Sequence, residues 1–239
     1  MSSNNQKPYQ EQVWLFTKLD TWSERAIELT HKILDKADIH VFQGRVGEQL
    51  PELPPGESVT ILSFLSPWIL SQAVLNRASL ALNFHPGSCD YPGIGCYNFA
   101  LYDNAKNYGA VCHHMKAKVD TGAIVQEALF KVAVDESVYS LKERTMAVML
   151  EMFKDILDCL TQDAPLPVSE RQWQRRPFRR TELNALGQIT SDMSDEEIHR
   201  RVRAMSFPGF PGAFIDLGGY RFHVEAEKNL NRLPEKVLH

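Results

Sequence analysis

LALNFHPGSCDYPGIGCYNFALYDNAKNYGAVCHHMKAKVDTGAIV, residues 80–125, is the stretch whose reading decides the fold. Its first six residues are short, apolar and β-prone, and they stop at Pro86-Gly87, a breaker pair. The pattern predicts a buried strand that runs out into a loop. Side chains alternate faces along a strand, so Asn83 and His85 point the same way. An amide and an imidazole then stand together where a strand meets its loop, the edge at which open α/β sheets bind ligands. Asp120 follows a second apolar strand, residues 110–115, in a Val-Asp-Thr-Gly turn. Each residue alone has a plain reading: Asn and Asp are turn formers, and a single His is usually structural. Together, they allow an amide, an imidazole and a carboxylate to converge at one sheet edge.

Working outward, residues 12–16, 40–42 and 59–64 are further strand candidates. Thr21 or Ser23 is the expected cap of a helix whose stripe is Ala26, Ile27, Leu29, Ile33 and Leu34. Pro67 to Leu70 reads as the opening of a short helix. Strands alternate with helices through Ile124-Val125, the mark of an α/β protein with a mostly parallel sheet covered on both faces. Residues 137–160 carry apolar residues at three-and-four spacing and read as a core-facing helix. Beyond a Pro-broken stretch the character changes. Arg171, Arg175, Arg176, Arg179 and Arg180 precede a capping box at Ser194 and Glu197. Gly218-Gly219 between apolar runs signals a hairpin. The expected division is a catalytic domain over residues 1–168, with a disordered lead-in over 1–11, and a small α+β appendage over 169–239.

Composition narrows the function. The chain has 239 residues, 44% apolar and 23% charged, with a formal net charge of -4. That balance gives no basic surface for nucleic acid. No apolar run is long enough for a membrane helix, and the polar start lacks the core of a secretory signal. Cys89, Cys96, Cys112 and Cys159 form no CxxC pair and read as free thiols of a cytoplasmic protein. The first βα turn, residues 17–22, has no glycine, so it does not offer the close backbone approach of a dinucleotide site.

At Asn83-Phe84-His85-Pro86 and Asp120-Thr121-Gly122-Ala123-Ile124 the sequence resembles the formyltransferases that use 10-formyltetrahydrofolate. Members act on glycinamide ribonucleotide, on methionyl-tRNA and on the amino sugars of nucleotide-linked sugars. The resemblance implies a Rossmann-like formyltransferase fold and maps the family's catalytic residues onto Asn83, His85 and Asp120, with a supporting His at His113. It places Phe64, Leu65, Trp68, Lys118 and Val119 around the folate. Tyr91, Gly93, Tyr97 and Asn98 fall where the acceptor amine would enter. For Phe64 and Trp68 plain core packing is the competing reading. For Arg175-Arg176 a surface run competes with a pyrophosphate contact. The loop after His85-Pro86 is one residue shorter than the family's usual loop, and Gly109-Ala110-Val111 stands where the family has Gly-x-Thr. The segment from Arg203-Ala204 to Ala213-Phe214 resembles the tRNA and amino-sugar enzymes. The short tail after it resembles the small sugar N-formyltransferases, which implies a homodimer touching through the hairpin of residues 214–224.

Formyl transfer is acyl transfer, with an oxyanion forming on the formyl carbon. Asn83, and a protonated His85, are candidate donors to that oxygen. A proton must also leave the amine. His85 is the favoured acceptor with Asp120 as its partner, while relay through water by Asp120 remains the other route. No metal is required: His113 and His114 are strand neighbours facing opposite sides and do not readily share an ion. The leading expectation is an N-formyltransferase acting on a nucleotide-linked 4-amino-4,6-dideoxysugar for O-antigen synthesis. A 10-formyltetrahydrofolate deformylase, transfer to another small amine, and a non-catalytic folate or nucleotide module are the alternatives.

Overall fold

The computed structural model describes residues 12–162 and 164–224, so the lead-in expected over residues 1–11 lies outside the described residues. Four parallel strands come first: β1 (Gln12–Lys18), β2 (Asp38–Gly44), β3 (Val59–Phe64) and β4 (Ala78–His85). Then β5 (Asn107–His114) runs against β4, and β6 (Ile124–Lys131) runs against β5. The order across the sheet is β2-β1-β3-β4-β5-β6. The helices are α1 (Thr21–Ile33), α2 (Gln72–Leu75), α3 (Cys96–Tyr102), α4 (Val138–Thr161), α5 (Arg180–Gly187) and α6 (Asp195–Met205). A separate hairpin joins β7 (Phe214–Leu217) to β8 (Tyr220–His223). The expected α/β class and mostly parallel sheet are present.

Alternation along the strands builds two cores. Val13 and Leu15, Leu62 and Phe64, Leu82 and Phe84 face α4 and pack on Met146, Met149, Phe153, Ile156 and Leu157. Their neighbours Trp14, Phe16 and Ile61 fill the opposite face with Leu70 and Leu75. Both faces of β3 are therefore buried, which is why it reads as an unbroken apolar run.

Four local expectations are corrected. Asp20, not Thr21 or Ser23, caps α1: its Oδ1 accepts the Ser23 N–H at 2.8 Å. Pro67 to Leu70 is not helical; α2 begins after Ser71, whose Oγ accepts the Val74 N–H. No helix separates β5 from β6, because the chain turns straight back and pairs antiparallel. An additional helix, α5, sits in the Arg-rich region, where Arg176 forks onto Glu182 at 2.7 and 3.1 Å.

The C-terminal helices are docked on α3. Leu183, Leu186 and Ala204 share a buried cluster with Phe99, Leu101 and Tyr108. Tyr102 donates to Glu197 at 2.8 Å, and Arg203 donates to the Glu136 carbonyl at 3.1 Å. Gly218 and Gly219 both have positive φ, 59° and 83°, as the tight turn of β7–β8 requires. Ile215, Leu217, Tyr220 and Phe222 are exposed on that hairpin. Among the described residues no helix is long and apolar enough to cross a membrane.

Phe153 is fully buried with its ring 4.8 Å from Phe84 and 5.2 Å from Phe64. Phe153→Ala is expected to destabilise the protein by about 3–5 kcal/mol. Urea unfolding reads this as a lower midpoint at unchanged slope.

Candidate active site

The site begins as a row across the sheet. Ser63 pairs with Asn83, and Asn83 with His113, so three strands place these side chains in line. The face is the one opposite Leu82 and Phe84, which pack on α4. His85 follows at the carboxyl end of β4. His114, next to His113, is exposed on the other side. The strand pairing shifts register between Cys112 and His113, and the chain leaves β5 into the loop that carries Asp120.

Asp120 closes the arrangement. Its Oδ2 lies 3.3 Å from His85 Nδ1 and its Oδ1 lies 3.3 Å from His113 Nε2. The Gly93 N–H donates to Oδ2 at 2.8 Å. Asn83 Nδ2 donates to His113 Nε2 at 3.0 Å, and His113 Nδ1 donates to the His114 carbonyl at 2.8 Å. His85 Nε2 donates to the Tyr91 carbonyl at 2.9 Å. Both nitrogens of His85 thus face acceptors, and the ring meets both contacts only with an N–H on each side. His85, His113 and Asp120 are 5%, 2% and 4% exposed, so the cluster has little water to screen it. Burial pushes the Asp120 carboxyl up, but the neighbouring His85 charge, contacts from His113 and the Gly93 N–H outweigh it and hold the group at about 2.

Backbone geometry supports that position. Asp120 has φ of 46°, in the left-handed region, as does Leu65 with φ of 59°. Two residues on, Gly122 passes so close to the β5 backbone that a Cβ there would stand 1.6 Å from the His114 carbonyl oxygen.

A cleft opens in front of Asn83, His85, His113 and Asp120, with Leu65, Trp68, Gly93, Lys116 and Val119 among its walls. Leu65, Trp68 and Val119, expected around the folate, and Gly93, expected at the acceptor's entry, all line this one cleft. Phe64 does not reach the cleft: it alternates to the opposite face and packs in the α4 core. Lys118 is exposed and outside the lining, while Lys116 takes part in it. Tyr91 contributes its carbonyl, but its ring is buried against Tyr108 and Phe178. Tyr97 packs with Tyr108, and Asn98 Nδ2 donates to the Ala204 carbonyl at 2.7 Å, tying α3 to α6. Arg175 lies over the Phe178 ring and Arg176 is held by Glu182, so neither is a free cation. Trp173 was missed: its indole meets the edges of both His85 and His113, with centroids 5.8 and 5.1 Å away. The one signal for it was a large aromatic stranded in a charged, irregular run.

A mostly parallel sheet ending in a half-buried amide, two buried imidazoles and a buried carboxylate is the arrangement that the sequence resemblance implied. Residues 57–157 match the formyl transferase family model. A GDP-perosamine N-formyltransferase of Brucella melitensis is 27% identical over 145 residues, covering 60% of this chain and 55% of the relative. The chain thus spans about half the length of the curated relatives it matches. The fold is similar to that of a sugar N-formyltransferase from a Shewanella species, with a TM-score of 0.72, 14% identity and coverage of 91% and 98% of the two chains. It is also similar to an N-formyltransferase of Helicobacter canadensis in complex with folinic acid and dTDP-3-aminofucose. There the TM-score is 0.68, with 14% identity and coverage of 87% and 84%.

Two outcomes are expected. Because the Asp120 carboxyl sits below its unfolded value, its ionised form favours the fold. That contribution is complete above about pH 4, is lost as pH falls toward about 2, and amounts to about 2 kcal/mol. Asp120→Asn removes this acid limb, so the stability gap to the parent narrows over that window in urea titrations. Gly122→Ala forces the loop off β5, since the opposing atom is backbone and cannot swing away. It is expected to lower turnover at least about tenfold through a misplaced Asp120, read by steady-state kinetics.

Proposed function

We propose that this protein transfers a formyl group from 10-formyltetrahydrofolate to the amine of a nucleotide-linked 4-amino-4,6-dideoxysugar. The observation that carries the reading is the meeting of Asn83 and His85, from β4, with Asp120, from the loop between β5 and β6, at one side of an open cleft. A relative named as a GDP-perosamine N-formyltransferase and a fold neighbour in complex with dTDP-3-aminofucose support an amino-sugar nucleotide as the acceptor class.

The chemistry follows from the donors and acceptors. Asn83 spends one amide N–H on His113 and has a second for the formyl oxygen. His85 offers its Nε2–H, for which the formyl oxygen competes with the Tyr91 carbonyl. Donors of this kind contribute roughly 10²–10³ each when aimed at a developing oxyanion. With both His85 nitrogens directed at acceptors, Asp120 is the anionic group placed to receive the amine proton, through water or through the imidazole. The folate ring system takes the apolar wall of Leu65, Trp68 and Val119, and Lys116 stands near its mouth. No metal enters the scheme. We further propose a cytoplasmic homodimer that joins through the exposed β7–β8 face and serves O-antigen synthesis.

Incubation with 10-formyltetrahydrofolate and a panel of dTDP-, GDP- and UDP-linked amino sugars is expected to give tetrahydrofolate and a formylated sugar together. Asp120→Asn and His85→Asn are expected to lower kcat by about 10²–10⁴. Formate released without any amine would replace this reading with a deformylase. Folate binding without turnover would leave a binding module.

A further inference from the structure

We propose that Trp173 is a positioning residue for the catalytic cluster, held against its rear by a strap of chain pinned on both sides. The strap is the irregular run of residues 169–179 that leads into α5. It carries no chemistry in the scheme above, yet its fastening is dense. On one side Arg171 Nε donates to the nearly buried Glu127 at 2.8 Å, and its Nη2 lies 3.0 Å from Cys89 Sγ. Glu127 in turn accepts the Cys89 N–H at 2.8 Å. The Gln174 N–H donates to the Cys89 carbonyl at 3.1 Å. On the other side the Phe178 N–H donates to the Pro92 carbonyl at 2.9 Å and its carbonyl accepts from Ile94 at 3.1 Å. The Phe178 ring stacks on Phe99 at 3.6 Å.

Between these fastenings one indole touches three parts of the cluster at once. It meets His85 at an interplanar angle of 74° and His113 at 84°, edge contacts of the kind aromatic rings prefer. Its Nε1–H donates to the Gly122 carbonyl at 2.8 Å, in the loop that presents Asp120. Its remaining surface packs on Cys89, Val111 and Ile124. Neither imidazole has another aromatic against it among the described ring contacts. On its other side the indole lines a second hollow with Thr121, Gly122, Glu170 and Gln172. It therefore blocks the two motions that would undo the site: rotation of the imidazole planes, and lifting of the Asp120 loop from behind. A group that acts through the orientation of others belongs to the supporting shell whose loosening costs rate with little change in binding.

The kinetic part rests on the formyl-transfer reading; the structural part does not, and the experiment separates them. In the full chain labelled with ¹⁵N, long-range correlation spectra report which nitrogens of His85 and His113 carry protons. Peaks are assigned with His85→Asn and His113→Asn. The parent is expected to show one fixed pattern for each ring. Trp173→Leu should average both patterns, while Trp173→Phe, which keeps a flat ring, should restore them. With 10-formyltetrahydrofolate and the acceptor found above, Trp173→Leu should lose about ten- to a hundredfold in kcat with little change in the donor KM. Trp173→Phe should recover most of that loss. If Trp173→Leu does not fold, Trp173→Met takes its place. Fixed patterns and parental kcat in the ringless variant would overturn the proposal, as would a rise in KM alone. Absence of turnover in the parent would count against the formyl-transfer reading only, and the spectra would still decide the role of Trp173.

Discussion

A carboxylate removed from water needs its charge answered on the spot, and the Asp120 side chain has the His85 imidazole and one backbone N–H to answer it, with the His113 ring alongside. The rest of the molecule can be read as the means of bringing those groups to it. His85 and His113 come from adjacent strands of opposite direction. Gly93 comes from the loop that follows β4. Asp120 itself is delivered by the sharp return between β5 and β6, at a left-handed φ that an L-residue adopts only when its surroundings compel it. Removal of His85 would leave burial working against the ionised form.

Much of this was legible in the chain. Period-two reasoning put Asn83 and His85 on one face, and the turn signal placed Asp120 at the same edge. The family resemblance connected the two and added His113. The mostly parallel sheet followed from the order of apolar runs. The losses have physical causes. Phe64 was assigned to the folate, yet the same alternation that joins Asn83 to His85 sends Phe64 with Phe84 into the α4 core. Lys116 and Lys118 differ by one loop turn that spacing does not specify. Asn98 spends its amide on α6, a partner more than a hundred positions away that no local pattern announces. Trp173 is of the same kind, because its meaning depends on where an irregular strap comes to rest.

The helices after the strap also bear on the site, though they do not touch it. α5 and α6 bury Leu183, Leu186 and Ala204 against α3, whose first turn follows directly from the loop holding Gly93. Phe178 stacks on Phe99 of α3 while its backbone brackets Pro92 and Ile94. The loop that donates to Asp120 is thereby clamped between the α3 layer and the strap.

The in-line row of Ser63, Asn83 and His113 has a consequence for folding fidelity. The pairing that aligns these polar side chains also sends Leu62, Leu82 and Cys112 into the apolar layer beneath. A slip of one position would bury the amide and the imidazole in that layer and turn leucines toward water, so a misregistered chain is penalised twice over. Chemistry and core share a single alignment: a molecule that has packed correctly has, by the same act, assembled its polar row.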